Sequence, residues 1–431
     1  MESSEPQSGT PAPYGRACIN CSRAKSKCIL IGVGNGCERL ASSKMIETLF
    51  QKITMLIQQK LLIEVAPSID MLLGIMTFIS WTTYSRRPFL NFYAHVLMGL
   101  VCDLGINQPV AQEPSTMQTF KCAVGWKQQI PTIRTLEERR AVLGCFLLTS
   151  RHPFSIALTM SKIDALRWNP HMEESLTVLM DAKECPEDEL LVTLVKIQLI
   201  MDKVYHMRRD GENNTYSLLY TKAFQSQLDS VKSQIPQRLQ QDKAVLLYLA
   251  NAEIVIHEVA IATPSLPNSP EMHRLESLCT CLQACKFWLD TWLEISPDHH
   301  IGISFTVFYQ FSRALVSLYK LSTLEDPAWD RNMVRNTANV LEILDRILYN
   351  LKRSSRIMSD PDHLEYNVYE KGVKMLQAIK QGWEPKLMEV WFPNLPTDVI
   401  SNQYVPTSPL PEVLPMPGFD DAWMLEVFGS M

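Results

Sequence analysis

Residues 69–85 read IDMLLGIMTFISWTTYS, and this nearly unbroken apolar stretch indicates the fold class. It is shorter than the roughly 20 apolar residues that a membrane-spanning helix needs, so it predicts a buried core helix. From about residue 68 onward one helical pattern follows another, and no segment reads as a persuasive strand. The sequence therefore predicts an all-α fold.

Local signals place the helices that surround this stretch. Gly105 is expected just past the end of a helix over residues 89–104, and Thr135 with Glu138 predicts a capping box before a helix over residues 136–149. Asp326 and Pro327 read as the N-cap and first residue of another helix. Further helices are predicted at 187–209, 215–235, 239–261, 271–294, 303–321, 327–351 and 363–379.

Composition agrees with a large helical protein. The 431 residues suffice for one large or two ordinary domains, 46% are hydrophobic, and 16 glycines are few enough to favour helices over turn-rich sheets. The net charge of -5 is unevenly distributed, because residues 1–60 hold eight basic and four acidic residues. A basic first segment on an acidic remainder predicts contact with nucleic acid at one end only.

Targeting signals and enzyme motifs are not recognisable. Residues 1–15 are polar and proline-rich, which predicts a disordered tail and not a signal peptide. No run of 18 apolar residues occurs, so no membrane partner is expected. An odd total of 11 cysteines favours reduced thiols inside the cell. The sequence contains no G-x-S-x-G, P-loop or H-E-x-x-H motif, so an enzyme is not predicted.

Cysteines and histidines in the second half of the chain read as structural. Cys279, Cys281 and Cys285 lie at helical spacing without a matching histidine or acid, which indicates core packing. His299 and His300 follow a proline and an aspartate, and we expect both to be solvated loop residues.

Four cysteines cluster near the start of the chain, in residues 16–39, RACINCSRAKSKCILIGVGNGCER. Cys18, Cys21, Cys28 and Cys37 supply the four thiolates that a tetrahedral zinc site requires, and the first two form a C-x2-C turn. Core filling by four cysteines at this spacing is a weak alternative. The cluster predicts zinc as a cofactor.

The spacing between these cysteines also places basic side chains. Six residues separate Cys21 from Cys28, enough for about one and a half helical turns, so Arg23, Lys25 and Lys27 would point outward from a metal-fixed helix.

The segment resembles the first two-thirds of the fungal six-cysteine binuclear zinc-cluster DNA-binding domain. Its four cysteines match the first four ligands of that family, but Leu40 stands where the fifth is expected, and the next cysteine is Cys102. One zinc site can persist under this resemblance, whereas the binuclear cluster cannot. Three explanations remain open: a gene model or splice form that lost half of the motif, a one-zinc relic that binds DNA weakly, or a segment that no longer binds metal.

The resemblance implies double-stranded DNA as a partner and the nucleus as the location. In the family, the helix after the second cysteine reads a short CGG-like triplet, and the position of the base contact corresponds to Lys25. The residues then assigned to phosphate contacts are Arg16, Arg23, Lys27 and Arg39.

Residues 41–63 form a linker or short coiled coil. Apolar residues and one lysine alternate at spacings of three and four, at Ile46, Leu49, Ile53, Leu56, Lys60 and Ile63. Two interpretations remain: an amphipathic helix that docks on the next domain, or a helix that forms a homodimer, as in relatives of the zinc-cluster family.

The helical part, assigned to residues 64–400, resembles the fungal-specific transcription factor domain, also called the middle-homology domain. The most recognisable pieces are DLGINQP at 103–109 and LEERRAVLGCFLLTS at 136–150. The combined resemblance covers roughly residues 16–390. It implies a sequence-specific transcription regulator, of the kind that controls a secondary-metabolite gene cluster. The alternative is an all-helical interaction protein that works through partner transcription factors without contacting DNA.

Residues 401–431 begin with a proline-rich linker and end in an acidic, hydrophobic tail. The tail residues predicted to engage a co-activator after folding into a helix are Asp420, Asp421, Trp423, Leu425 and Phe428. The alternative is that Trp423 and Phe428 hold the tail against the helical domain.

Overall fold

A computed structural model describes residues 30–31, 36–37, 43–64, 67–80, 90–109, 123, 133–150, 166–210, 220–263, 271–358 and 368–392. Strands β1 (Leu30–Ile31) and β2 (Gly36–Cys37) contain two residues each and pair antiparallel. This hairpin lies against the 3-10 turn Pro297–Gly302. Elsewhere the described residues with regular structure are helical, which confirms the predicted all-α class.

The first group of helices spans residues 43–210. They are α1 (Ser43–Ile57), which continues as a π-helical segment Gln58–Ile63, α2 (Ile69–Ser80), α3 (Leu90–Asp103), α4 (Leu136–Thr149), α5 (Pro170–Ala182) and α6 (Pro186–Asp210).

The second group follows residue 220. They are α7 (Thr221–Ser233), α8 (Lys243–His257), α9 (Val259–Ala262), α10 (Glu271–Leu293), α11 (Phe305–Thr323), α12 (Arg331–Thr337), α13 (Val340–Met358) and α14 (Val368–Trp391).

The prediction of one helix over residues 327–351 is wrong, because the chain forms two helices there. Asp330 caps α12 through its carboxylate, and Asn339 caps α13 by accepting a hydrogen bond from the backbone of Leu341. Asp326 caps a turn and not a helix, and its carboxylate pairs with the buried guanidinium of Arg274. Local capping by two side chains therefore interrupts a segment whose apolar pattern looks continuous.

Two further helices differ from the predictions. Helix α5 was not predicted, although Asn169 caps it and Pro170 occupies its first turn. Helix α14 continues to Trp391, well beyond the predicted end at residue 379, with Pro385 in its interior.

Among the described residues, buried side chains form one large cluster and three smaller ones. The large cluster joins α8 and α10 to α11, α13 and α14, and contains Trp288 and Trp292 with ring centroids 5.6 Å apart. A second cluster joins α1–α6, and includes Leu72, Ile75 and Phe78 from the opening stretch of the sequence. This burial confirms that residues 69–80 form a core helix.

One described segment, Lys243–Ala262, is long and apolar enough to cross a membrane by length and composition alone. However, 67% of its most apolar window is buried inside the protein, where α8 packs against α6 and α10. This packing accounts for its apolar composition.

The loop after α3 adopts the predicted helix-ending geometry. Gly105 has a φ of +63°, and the backbone amide of Ile106 donates to the carbonyl of Val101, which closes the helix end. The guanidinium of Arg134 then donates to the carbonyl oxygens of Gly105, at 2.5 Å, and Gln108, at 3.3 Å. These contacts fix the DLGINQP loop to the start of α4.

The LEERR sequence at residues 136–140 caps the start of α4 and joins this helix to its neighbours. Thr135 and Glu138 form the predicted capping box. Arg139 donates to Glu174 of α5 at 2.8 Å, while Arg140 donates to both carboxylate oxygens of Asp188 in α6. The two neighbouring arginines thus join α4 to two different helices.

Replacing Gly105 with alanine should destabilise the protein by about 1 kcal/mol, because an alanine is strained at a positive φ. The matched control is Gly99→Ala within α3, where an added Cβ has no neighbour within 4 Å. That substitution should stabilise by roughly 0.5–1 kcal/mol through helix propensity. Urea unfolding midpoints measure both changes, and shifts in the same direction would contradict the argument.

Candidate functional site

The structure describes the backbone of one predicted zinc ligand. Cys37 lies in β2, directly opposite Leu30, which follows Cys28 by two positions in the sequence. The predicted ligands Cys18, Cys21 and Cys28 lie outside the described residues, as do the predicted DNA-contacting residues Arg16, Arg23, Lys25, Lys27 and Arg39. Within the described part of the chain, no three His, Cys, Asp or Glu side chains come together as a metal-binding group.

The predicted co-activator tail also lies outside the described residues. This applies to Asp420, Asp421, Trp423, Leu425 and Phe428.

Helix α1 and the π-helical segment after it dock on the helical domain. Ile57 is buried in the second cluster, and Ile53 and Leu61 pack against it. Leu56 and Ile63 remain 54% and 64% exposed. The inward face is therefore offset from the predicted coiled-coil positions, which leaves two of those positions on the surface.

The prediction of core packing is correct for Cys281 and Cys285 and wrong for Cys279. Cys281 and Cys285 are buried in the large cluster, and burial raises the pKa of the Cys285 thiol well above its usual value. Cys279 is exposed on the same helix.

The expectation of a solvated loop is correct for His299 and wrong for His300. His299 is exposed, whereas His300 is fully buried and its ring stacks on Trp292 with centroids 5.1 Å apart. The Nδ1 atom of His300 lies 3.1 Å from the hydroxyl of Ser354, which also donates to the carbonyl of Pro297. The histidine thus anchors the Pro297–Gly302 turn to α13.

A charged cluster that the sequence did not reveal lies where α8 ends and α9 begins. Glu258 accepts hydrogen bonds at the same oxygen from Arg208 of α6, at 2.9 Å, and from Arg313 of α11, at 2.5 Å. Arg208 also donates to the carbonyl of Val255 near the end of α8. The arginines are 50 and 55 residues from Glu258 in sequence, so no local pattern could have revealed the cluster.

The charges of this cluster favour a structural role. Burial by itself would raise the pKa of Glu258, but the positive charges of Arg313 and Arg208 outweigh it and keep the pKa below its usual value. The carboxylate is therefore ionised and held by two guanidinium groups. It stabilises the junction of α6, α8 and α11, and removing one partner would leave buried charge uncompensated.

A buried histidine lies one residue earlier. The Nε2 atom of His257 is 3.1 Å from the side-chain oxygen of Gln225, which joins α8 to α7. Burial, with a smaller effect from His273, lowers the pKa of His257 to about 4. The ring is neutral near pH 7 and provides a contact between helices.

Comparison with protein families gives one match. A family model described as a C-terminal domain matches residues 297–431, which begin at the Pro297–Gly302 turn and include α11–α14. No solved structure matches this chain.

Several curated fungal proteins are similar to most of this chain. It is 31% identical over 361 residues to transcription factor opdL of Penicillium oxalicum, a match that covers 79% of this chain and 62% of that protein. A protein of Aspergillus terreus named transcription factor is 27% identical, over 72% of this chain and 47% of its own length. Transcription factor himD of Aspergillus japonicus is 21% identical, over 72% of this chain and 53% of its own length.

The chain thus spans about half to three-fifths of the length of these relatives. None of their three names is that of an enzyme. Over most of its length, the chain is similar to fungal proteins named as transcription factors, and these similarities support the fungal transcription factor family.

Proposed function

We propose that this chain is a transcription regulator that binds double-stranded DNA in the nucleus. The observation that carries the proposal is the similarity of 79% of the chain to a protein named as a transcription factor. The basic, cysteine-rich first segment supplies the DNA contact, and the helical domain follows that segment in the chain. Control of a secondary-metabolite gene cluster is the biological role that we assign to it.

Zinc is the proposed cofactor of the first segment. Four cysteines within twenty residues provide the soft ligands that zinc prefers. The antiparallel pairing of Leu30 with Cys37 supports the proposal, because it reverses the chain between the third and fourth cysteines. Bound zinc would supply structural order to a segment too short for a core of its own.

The proposed DNA contacts are made by basic residues between and beside the cysteines. Lys25 is proposed to donate to guanine O6 and N7 in the major groove. The phosphate contacts are assigned to Arg16, Arg23, Lys27 and Arg39, which add affinity for any sequence.

Two partner proteins are also proposed. A second copy of the chain is the partner for the outer side of α1 and of the π-helical segment after it, where Leu56 and Ile63 are exposed. A co-activator is the partner for the C-terminal tail, whose apolar side chains alternate with acids that keep it solvated.

A second function is favoured by one observation. Leu40 occupies the position of a fifth cysteine, and no cysteine follows Cys37 until Cys102. If the incomplete motif no longer binds metal, the helical domain acts as an interaction protein that pairs with other transcription factors and does not contact DNA.

The zinc proposal predicts one zinc ion per chain after expression in zinc-replete medium. Cys21→Ser and Cys37→Ser should each abolish zinc binding, because three thiolates leave the tetrahedral site incomplete. The matched control is Cys102→Ser, which removes an exposed thiol outside the cluster. Elemental analysis of the purified full chain measures the stoichiometry. Zinc that persists in Cys37→Ser would refute this set of ligands, and a wild-type chain without zinc would support the second function.

The DNA proposal predicts different effects for two kinds of substitution in the full chain. Lys25→Ala should weaken binding to a CGG-containing duplex by about 1–3 kcal/mol and reduce sequence preference. Lys27→Ala is the neighbouring control, and it should weaken all duplexes alike and reduce the salt dependence of binding. Fluorescence anisotropy titrations at several salt concentrations separate the two effects. Equal loss on every duplex for Lys25→Ala would show that Lys25 reads no base.

The co-activator proposal predicts that residues 405–431, fused to an unrelated DNA-binding domain, activate a reporter gene. Trp423→Ala with Phe428→Ala should silence the fusion, because the large apolar side chains that fill a partner groove are lost. Ser430→Ala is a control that leaves acids and aromatic residues unchanged. A wild-type fusion no more active than the DNA-binding domain alone would refute this role of the tail.

A further inference from the structure

The outer side of α13 exposes four cations and one aromatic ring, which we call the α13 basic face. Its members are Arg346, Tyr349, Lys352, Arg353 and Arg356. Tyr349 is 68% exposed, a high value for a large aromatic side chain. The opposite side of the helix is buried in the large cluster, so the helix cannot turn this face inward.

The charges on this face are not balanced by neighbouring acids. Within the described chain, Lys352, Arg353 and Arg356 form no hydrogen bond or ion pair. Arg346 has only a distant carboxylate, that of Asp290 at 3.9 Å.

The acids of α13 do not offset Lys352, Arg353 and Arg356. Glu342 and Asp345 both lie in the first two turns, and the carboxylate of Asp345 is already paired at 2.6 Å with Lys380 of α14.

Like charges on one helix face repel each other. Lys352 and Arg356 are four residues apart, and Arg353 and Arg356 are three apart, so each pair lies side by side on the surface. The negative end of the helix dipole favours cations in the last turn, but its effect does not extend to Arg346 or explain Tyr349. The face therefore suits an acidic partner with aromatic side chains.

We propose that the partner is the C-terminal tail of the same chain, residues 411–431. The tail carries Glu412, Asp420, Asp421 and Glu426 and has no basic residue. It also supplies Trp423 and Phe428, together with aliphatic side chains, to pack on the ring of Tyr349. Four carboxylates thus meet four cations, and an aromatic side chain meets an exposed aromatic side chain.

The chain is long enough for the tail to reach this face. The last described residue, Phe392, lies beneath the guanidinium of Arg335 in α12, at 4.6 Å, and α12 directly precedes α13. Helix α13 is about 28 Å long at 1.5 Å per residue. The 18 residues 393–410 can span roughly 60 Å when extended. Because both partners belong to one chain, the effective concentration is high, on the order of millimolar.

Docking has a regulatory consequence. When the tail lies on the α13 basic face, Trp423 and Phe428 are covered, so any protein that binds the tail must first displace it. The contact itself does not depend on whether the tail recruits a co-activator. The reporter fusion tests that recruitment separately.

Zero-length carbodiimide crosslinking of the full-length chain tests the proposal, because Lys352 is the lysine of the face and the tail provides the carboxylates. Mass spectrometry should find Lys352 joined to Asp420, Asp421 or Glu426. The crosslink should disappear in high salt, and in the variant Arg353→Glu with Arg356→Glu. In a mixture of isotopically labelled and unlabelled chains, each crosslinked pair should carry a single label, as expected for a contact within one chain.

The control uses exposed lysines on the neighbouring helix. Lys374→Glu with Lys386→Glu in α14 makes the same charge change, and should leave the Lys352 crosslink intact. Adding Asp420→Arg and Asp421→Arg to Arg353→Glu with Arg356→Glu should restore the crosslink between Lys352 and Glu426. The unfolding midpoints of the two variants without tail substitutions should lie close to that of the wild type, because Arg353, Arg356, Lys374 and Lys386 are exposed.

Three outcomes would overturn the proposal. Lys352 could form no crosslink to the tail, the tail could crosslink equally to Lys374, or the crosslinked pairs could carry mixed labels. If Lys352 forms no such crosslink and Arg353→Glu with Arg356→Glu weakens binding to duplex DNA, the face contacts phosphates and not the tail.

Discussion

Helix α8 must be covered on every side, and this constraint organises the helical domain. Its residues Leu247, Ala250 and Ile254 belong to the large cluster, while Tyr248 and Val255 belong to a separate cluster shared with α6 and α7. The two cores therefore meet across one helix. Since a continuous apolar surface is unfavourable in water, α6, α7, α10 and α11 pack around it, and the remaining helices extend each core outward.

Long-range charge pairs decide which helices meet at the edges of these cores. Glu258 joins α6 and α11 to the end of α8, and Arg139 and Arg140 join α4 to α5 and α6. Arg274 of α10 pairs with Asp326 before α12. Each buried charge needs its partner, because an uncompensated ion in a low-dielectric interior is costly. Such pairs therefore favour one arrangement of helices over others of similar hydrophobic burial.

The charges at the two ends of the chain suggest how the domain is used. The first 60 residues are basic and the last 21 are acidic, while the described helices between them provide the basic face on α13. A basic segment suits DNA, and an acidic tail suits a basic surface. In the function proposed above, the helical domain is the scaffold between the DNA-binding segment and the tail.

The sequence by itself determined the all-α class, the bounds of α4, its capping box and the glycine that ends α3. These features depend on hydrogen bonds and dihedral angles within a few residues, such as the contact between Thr135 and Glu138 and the positive φ of Gly105. It also supplied the cysteine spacing on which the zinc proposal stands. The tertiary structure decided the junction at Glu258, the burial of His300 and the exposure of the α13 basic face. The first two features join residues 50 to 55 positions apart, which no local pattern encodes. The outward side of α13 follows its amphipathic spacing, but only the tertiary structure shows that Lys352, Arg353 and Arg356 meet no carboxylate among the described residues.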